Sequence, residues 1–313
     1  MAEIMDGLKL SQTIKKKVTK EVETLKKYGI DVGLGLMLVG NNQASRQYLK
    51  ATLSGCKKVG ITPFEYYLPE TASINEILNT VGSINRDERV NGLLVLLPLP
   101  RRINYRRVVN EITPEKDIDG LGSLSVGRLA ADESTFQIFR RGDYASLYSP
   151  EHSPVLSSFL PCTPFGVIRL LEHCGVTIKG KHAVVIGKSL AVGKPLSMML
   201  LAKEATVTVC HKATEDLAYF AKQADIICSA TGIRNLLSGK MIRDGAVVVD
   251  IGINVLDDGS IVGDVDVESV GKKASLITPV PGGVGPVTIA MLLENTVRSA
   301  QSNQFLKHPL IMA

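Results

Sequence analysis

The chain has 313 residues, 45% of them hydrophobic and 21% charged, with a formal net charge of +5. That length exceeds what one hydrophobic core usually organises, so two domains are expected. The mild positive charge suits small anionic ligands, and without a Lys/Arg block or aromatic-basic interleaving no nucleic-acid partner is expected. Five scattered cysteines, Cys56, Cys162, Cys174, Cys210 and Cys228, lack CxxC spacing and read as reduced and mostly buried. The five histidines show no HxH or HxxxH pairing, so no metal is expected. Residues 1–7 carry an acid early and lack the basic-then-apolar order of a secretory signal. No apolar run approaches the ~20 residues that span a bilayer. A cytoplasmic protein without a membrane partner is the expectation.

Residues 8–28 place Leu10, Ile14, Val18, Val22 and Leu25 at helical spacing, which predicts an amphipathic helix lying on a sheet. Residues 33–40 form a short apolar run ending at Gly40, as a buried strand does. Asn41, Asn42 and Ser45 offer N-caps to a helix reaching about Val59. Strand-like runs at 64–68 and 92–97 flank a helical stretch at 73–84, and Pro98-Leu99-Pro100 ends the last strand. This alternation predicts a parallel sheet with covering helices. Residues 130–158, with Arg140-Arg141-Gly142-Asp143 and several serines, have little periodicity and read as a long loop.

Thr163-Pro164 is expected to open a helix through Cys174, with Thr163 as cap and Pro164 at the first helical position. Strand-like runs at 182–187, 205–210, 225–229 and 246–252 then alternate with helical stretches at 193–203 and 215–222, a second α/β unit of Rossmann-like rhythm. A last helix over 284–300 is expected to return to the first domain. The predicted domains are therefore 1–150 with 285–313 returning to it, and 151–284.

Four places could carry chemistry. The turn Gly187-Lys188-Ser189-Leu190-Ala191-Val192-Gly193-Lys194-Pro195 lies between strand and helix, where backbone N–H groups meet a pyrophosphate. By spacing alone it is as well explained as a plain connection. At the end of the next strand an NAD site commonly has an acid for the ribose 2′-hydroxyl. Here the chain reads Val209-Cys210-His211-Lys212, and Lys188 and Lys212 can both face a 2′-phosphate, so NADP is preferred. Residues 278–288 combine three prolines with three glycines, a rigid and bare wall for flat rings, or simply a tight entry into the last helix. Tyr48 and Asp119 complete the set; one would ordinarily be helix packing and the other a turn acid.

Together these pieces resemble the FolD family, methylenetetrahydrofolate dehydrogenase/methenyltetrahydrofolate cyclohydrolase. The resemblance rests on Val39-Gly40 with Ser45 and Tyr48, on 92–100, 114–120 and Pro161-Cys162-Thr163-Pro164, and on the 187–195 turn. It continues through Asp250-Ile251-Gly252-Ile253-Asn254, Val262-Gly263-Asp264-Val265 and 278–288. It implies two α/β domains, an N-terminal folate-binding catalytic domain and a Rossmann-like NADP-binding domain, facing each other across a cleft, and a homodimer. Tyr48 would lie along the folate, Asp119 would bind the pterin edge, and Pro281, Gly282 and Gly283 would sit beside folate and nicotinamide. Cofactor contacts would come from Gly187, Lys188, Ser189, Val192, Gly193, Pro195, His211, Lys212, Thr231, Gly232, Ile253 and Gly285. The implied reaction of one-carbon metabolism is NADP-dependent oxidation of 5,10-methylenetetrahydrofolate to the methenyl cation, followed in the family by hydrolysis to 10-formyltetrahydrofolate.

This chain departs from the family pattern in its long 130–158 segment, where the family connection is usually shorter, and at two single positions. The Lys four residues after Tyr48 is Thr52, and the Gln before Pro-Leu-Pro is Leu96. Thr cannot carry a charge and Leu makes no hydrogen bonds, so the hydrolytic step is doubtful. Lys50 points away from Tyr48 by helical geometry, and Lys57 and Lys58 read as a solvated face. A dehydrogenase with weak or absent cyclohydrolase activity is the main reading. The alternatives are a fully bifunctional enzyme using substitutes such as Arg140, Arg141 or His152, and a catalytically silent folate- or NADP-binding paralogue.

Overall fold

The computed structural model describes residues 1–131 and 158–307, with side chains to residue 302. These fall into two compact units. One is made of Met1–Ser11 and Thr163–Thr288; the other of Gln12–Ala131, residues 158–162 and residues from 289 onward.

The chain opens with β1 (Glu3–Ile4) and the long helix α1 (Gly7–Lys27). The second unit is then built on a three-stranded parallel sheet of β2 (Gly33–Val39), β3 (Thr62–Leu68) and β4 (Gly92–Val95), in the order β3-β2-β4. All seven residues of β2 are buried, as befits a central strand covered on both faces, whereas the edge strand β3 has no fully buried residue. The connecting helices are α2 (Gln43–Val59) and α3 (Ile74–Arg86). Asn42 caps α2 by accepting the Ser45 N–H, and Gly60, left-handed at φ 83°, ends it. A reciprocal Ser73–Glu76 capping box starts α3. Buried Lys116 closes the other end of α3, its Nζ donating to the carbonyls of Ile84 (2.9 Å) and Asp87 (2.7 Å). Burial lowers the Lys116 pKa, and Asp87, Glu88 and Glu115 oppose that shift. Two short helices, α4 (Tyr105–Glu111) and α5 (Ser123–Ala131), complete this part of the chain.

Next come α6 (Cys162–His173) and the strands β5 (His182–Ile186), β6 (Thr206–Cys210), β7 (Ile226–Ser229) and β8 (Val247–Asp250), separated by α7 (Gly193–Ala202) and α8 (Leu217–Ala221). A small hairpin of β9 (Asn254–Val255) and β10 (Ile261–Val262), the turn of helix α9 (Val267–Gly271) and β11 (Leu276–Ile277) follow. The six-stranded parallel sheet has the order β1-β11-β8-β7-β5-β6. The chain leaves β5 for β6 on one side and returns to β7 on the other, so a topological switch point lies at the carboxyl ends of β5 and β7. Val184, Ile186, Ile227 and Val248 face a core shared with Leu237, Val265 and Ile277.

The final helix α10 (Val284–Lys307) is buried on nearly every side through Ala300. In the second unit it supplies polar anchors: Asn295 Nδ2 donates to Ile118 O at 2.8 Å and lies 3.4 Å from Cys162 Sγ. Ser299 Oγ lies 2.6 and 2.7 Å from the Asn91 and Glu115 carbonyls. Gly55 of α2 fits against Ile289 and Leu293, where an added Cβ would meet both at 3.2 Å.

Several details differ from the sequence expectation. Helix α6 begins at Cys162, so Thr163 is already inside it, and its hydroxyl lies 3.3 Å from that of Thr288 rather than capping. Residues 130 and 131 are the end of α5, not loop. β1 and β11 are two residues each, too short for a periodicity signal, and β1 groups Met1–Ser11 with the six-stranded unit by pairing with β11. Arg140, Arg141 and His152 lie outside the described residues. Among the described residues no helix is long and apolar enough to cross a membrane.

Asn295→Ala removes an amide that three buried groups share. It should lower stability by about 1–3 kcal/mol, measured as a shift in the urea unfolding midpoint.

Candidate active site

In the three-stranded unit, Tyr48 and Thr52 lie one helical turn apart on α2, and Ser45 ties the start of that helix to the end of β4. Ser45 Oγ is 3.0 Å from the Leu97 carbonyl, while Leu96 N–H donates to Met37 O. The start of the helix that carries Tyr48 is thereby fixed against the segment that follows β4 and carries Leu96. Thr52 is fully buried, and its hydroxyl donates back to the Tyr48 carbonyl at 2.9 Å. Leu96 is only 1% exposed. Neither position presents a group that can take or give a proton to a ligand.

Asp119 lies within a tight turn organised by its neighbour Asp117. The buried Asp117 carboxylate accepts the N–H groups of Leu121 (3.2 Å) and Gly122 (2.9 Å) and the Ser125 hydroxyl (2.7 Å). Burial pushes Asp117 up to about 6 against those donors. Asp119 is pushed further, to about 7, by burial first and the Asp117 carboxylate second, with the Cys162 thiol opposing. Tyr48 and Cys162 feel Asp119 in turn; burial and then that acid raise both well above their ordinary values. Tyr48, Asp119 and Cys162 therefore form one electrostatically coupled cluster.

In the six-stranded unit, the turn after β5 admits no side chain at its two critical glycines. Gly187 has φ 122°, and a Cβ there would run into the Ala230 carbonyl; a Cβ on Gly193 would run into the Gly187 carbonyl. At the helix start a side chain already meets the first N–H groups. Ser189 Oγ accepts from Val192 N–H (3.2 Å) and lies 3.4 Å from Gly193 N–H, so the hydroxyl occupies that position and its own hydrogen is left to donate. An anionic oxygen would meet this hydroxyl or displace it. Lys188 and Lys212 are both exposed, and Pro195 is buried in the first turn of α7. His211 Nδ1 accepts the Ala213 N–H at 3.2 Å, which places the proton of a neutral ring on Nε2. A glycine turn closed to side chains, cations beyond it and no acid at 210–212 fit an NADP phosphate ester.

Two further loops flank this region of the six-stranded unit. Thr231 and Gly232 follow β7, and Ile253 follows β8 with 54% of its surface exposed. Residues 279–283 fold over the start of α1: Gly283 N–H donates to Pro279 O, and Gly7 touches the Gly283 carbonyl so closely that it has no room for a Cβ. Pro281 and Gly285 are exposed and Gly282 has φ 110°, so this segment is rigid where it is proline and bare where it is glycine. Among the described residues no group of three or more His, Cys, Asp or Glu could hold a metal ion.

The sequence reading gave no role to Cys162, Asn295, Asp117, Asp250 or Asp264. Their types fall in motifs that were noticed, but what each acid accepts becomes visible only once the loops close.

Comparison with known proteins came to the same place. Residues 5–119 match the model of the tetrahydrofolate dehydrogenase/cyclohydrolase catalytic domain, and residues 161–304 match that of its NAD(P)-binding domain. A relative from Nautilia profundicola named "Bifunctional protein FolD" is 44% identical over 96% of this chain and 97% of its own. The crystal structure of the bifunctional dehydrogenase/cyclohydrolase FolD from Campylobacter jejuni superposes with a TM-score of 0.85 at 44% identity, covering 97% of this chain and 100% of that one. The Trypanosoma brucei enzyme, solved with NADP and an inhibitor, gives 0.85 at 33% identity, covering 97% and 98%.

The cluster around Asp119 has a measurable signature. Its pKa is about 7 in the fold against an ordinary 3.8, so between those values the folded chain holds a proton that the unfolded chain has released. Stability therefore falls as pH rises through that window. Asp117 and Asp250, both near 6, add slope of the same sign over a narrower range. Asp119→Asn should show a smaller drop in urea midpoint than the wild type between about pH 4 and about pH 8. An identical pH slope in the two proteins would contradict the raised pKa.

Proposed function

The chain belongs to the tetrahydrofolate dehydrogenase/cyclohydrolase family, and from that premise we propose an NADP-dependent oxidation of 5,10-methylenetetrahydrofolate to 5,10-methenyltetrahydrofolate with little or no onward hydrolysis. One observation carries the second half: the Thr52 hydroxyl is buried and spent on the Tyr48 carbonyl, and Leu96 is buried and apolar. Hydrolysis of the methenyl cation needs a group that shuffles protons to and from water. Hydride transfer needs none; it depends on holding donor carbon and acceptor ring in contact with the right faces opposed.

Bound NADP supplies the hydride acceptor. On this reading the six-stranded unit holds it through Gly187, Lys188, Ser189, Val192, Gly193, Pro195, His211, Lys212, Thr231, Gly232, Ile253 and Gly285. The three-stranded unit holds the folate, with Tyr48 along it and Asp119 at the pterin edge. With a pKa of about 7, Asp119 is present as carboxylate in a large fraction at neutral pH and accepts the paired donors of an amino-heterocycle. Tyr48 stays protonated and can only donate or accept a hydrogen bond. Pro281, Gly282 and Gly283 serve as the bare wall for flat rings. A cytoplasmic homodimer is the expected setting, the compartment from the sequence pattern and the dimer from the family resemblance.

A two-wavelength assay tests the reading directly. Supplied with methylenetetrahydrofolate and NADP, the protein should reduce the nicotinamide while the methenyl product accumulates; its rapid enzymatic conversion to the formyl compound would overturn the loss of hydrolysis. The double variant Thr52→Lys/Leu96→Gln should raise the enzymatic rate of methenyl decay by at least about tenfold, within the usual range of a restored general acid–base group. Replacing Lys188 and Lys212 together by Ala should reduce the kcat/KM preference for NADP over NAD by about tenfold or more, the usual weight of a charge-assisted contact.

A further inference from the structure

Three strand ends of the six-stranded unit converge on one buried side chain. Asp264 is fully buried, and its Oδ2 accepts from Ser229 Oγ (3.0 Å), Thr231 N–H (2.7 Å), Thr231 Oγ1 (2.8 Å) and Gly232 N–H (3.3 Å). Its Oδ1 accepts from Asn254 Nδ2 at 3.3 Å, and the same amide donates to Gly263 O at 3.0 Å. One carboxylate thus grips the loop after β7 and the loop after β8. Asp264 is itself held by a second acid. Asp250 Oδ1 accepts the N–H groups of Asp264 (2.9 Å) and Gly252 (3.0 Å), and Oδ2 that of Val265 (3.0 Å). Gly252 and Gly263 have no room for a Cβ, because each lies against the other segment's carboxylate.

The loop that Asp264 grips is also the wall behind the glycine turn. Ala230 N–H donates to Ile186 O, and the Ala230 carbonyl fills the space where a Gly187 side chain would be. Backbone at the carboxyl ends of β5, β7 and β8 is therefore set by a single buried oxygen pair, at the switch point where a parallel sheet of this order takes its ligand.

We propose that Asp264 is a positioning residue for the dinucleotide: it fixes Thr231, Gly232 and Ile253 in the conformation that meets the cofactor, and Asp250 fixes Asp264. This rests on the dinucleotide reading of that turn. A carboxylate suits the task because both of its oxygens accept. An Asn in the same place would set its NH2 either against the donors of Ser229, Thr231 and Gly232 or against the Asn254 amide. The residue acts through the loops and touches neither reacting carbon.

The test compares Asp264→Asn and Asn254→Ala with the wild type by NADPH fluorescence titration, by separate KM values for NADP and methylenetetrahydrofolate, and by thermal unfolding without ligand. Asp264→Asn should weaken NADPH binding by on the order of tenfold, the weight of hydrogen bonds to a charged group. The KM for the folate substrate should stay within about twofold, since only the cofactor loops are released. Asn254→Ala, which removes the Oδ1 donor together with its bond to Gly263 O, should weaken NADPH binding about threefold, and it carries the test by itself if Asp264→Asn does not fold. Unchanged NADPH affinity in a folded Asp264→Asn protein, or in Asn254→Ala, overturns the proposal. So does an equal loss on the NADP and folate constants, which marks general loosening. A wild-type chain that binds no dinucleotide overturns the cofactor reading and this inference with it, whereas a failure confined to the variants leaves that reading standing.

Discussion

Buried carboxylates that accept backbone N–H groups are the constraint on which both units depend. A parallel sheet sends its chain out of each strand into a loop, and the first N–H groups of that loop have no ladder partner. In this protein acids take them: Asp117 closes the turn before α5, and Asp250 and Asp264 close the turns after β7 and β8. Because the donors are fixed amides and hydroxyls, the loops have one geometry in which all are satisfied, and departing from it leaves a buried charge unanswered.

That arrangement has different consequences in the two units. In the six-stranded unit the acids are structural, and what they shape is bare backbone: a glycine turn, a loop after β7 and a loop after β8, surfaces suited to a large anionic ligand. In the three-stranded unit the buried acid Asp117 sits near the half-buried Asp119, and its carboxylate makes Asp119 harder to ionise. Asp119 is thereby kept near neutrality in its titration, and the Tyr48 phenol is kept protonated. Near this pair two positions carry side chains that do not titrate. Position 52 is a threonine bonded to its own helix, and position 96 is a leucine inside the sheet end. Hydride transfer depends on orientation and hydrolysis on proton transfer, so these two replacements are what the proposal of oxidation without hydrolysis rests on.

Long, strongly periodic elements were legible in the sequence. The helical spacing of Leu10, Ile14, Val18, Val22 and Leu25 gave α1, and the unbroken apolar run at 33–39 gave β2, because in both cases burial dictates residue type. β1 and β11 were not legible: two residues carry no period, and their pairing is between Glu3–Ile4 and Leu276–Ile277, far apart in the chain. The start of α6 at Cys162 was missed for a related reason. Thr163-Pro164 is a good local cap, yet the helix starts one residue earlier, at Cys162, whose thiol meets Asn295 and Ile118, partners that a local pattern does not show.

The sequence by itself determined the family, the α/β alternation, the preference for NADP and the two substitutions at Thr52 and Leu96, since each is a matter of which residue type stands at which spacing. Only the tertiary structure decided what the buried acids do. Asp117, Asp250 and Asp264 look like ordinary turn residues in a row of letters, and their partners lie 2 to 35 positions away. Whether such an acid is a surface cap or the pin of a loop depends on burial and on how many donors converge, and neither exists until the chain has folded.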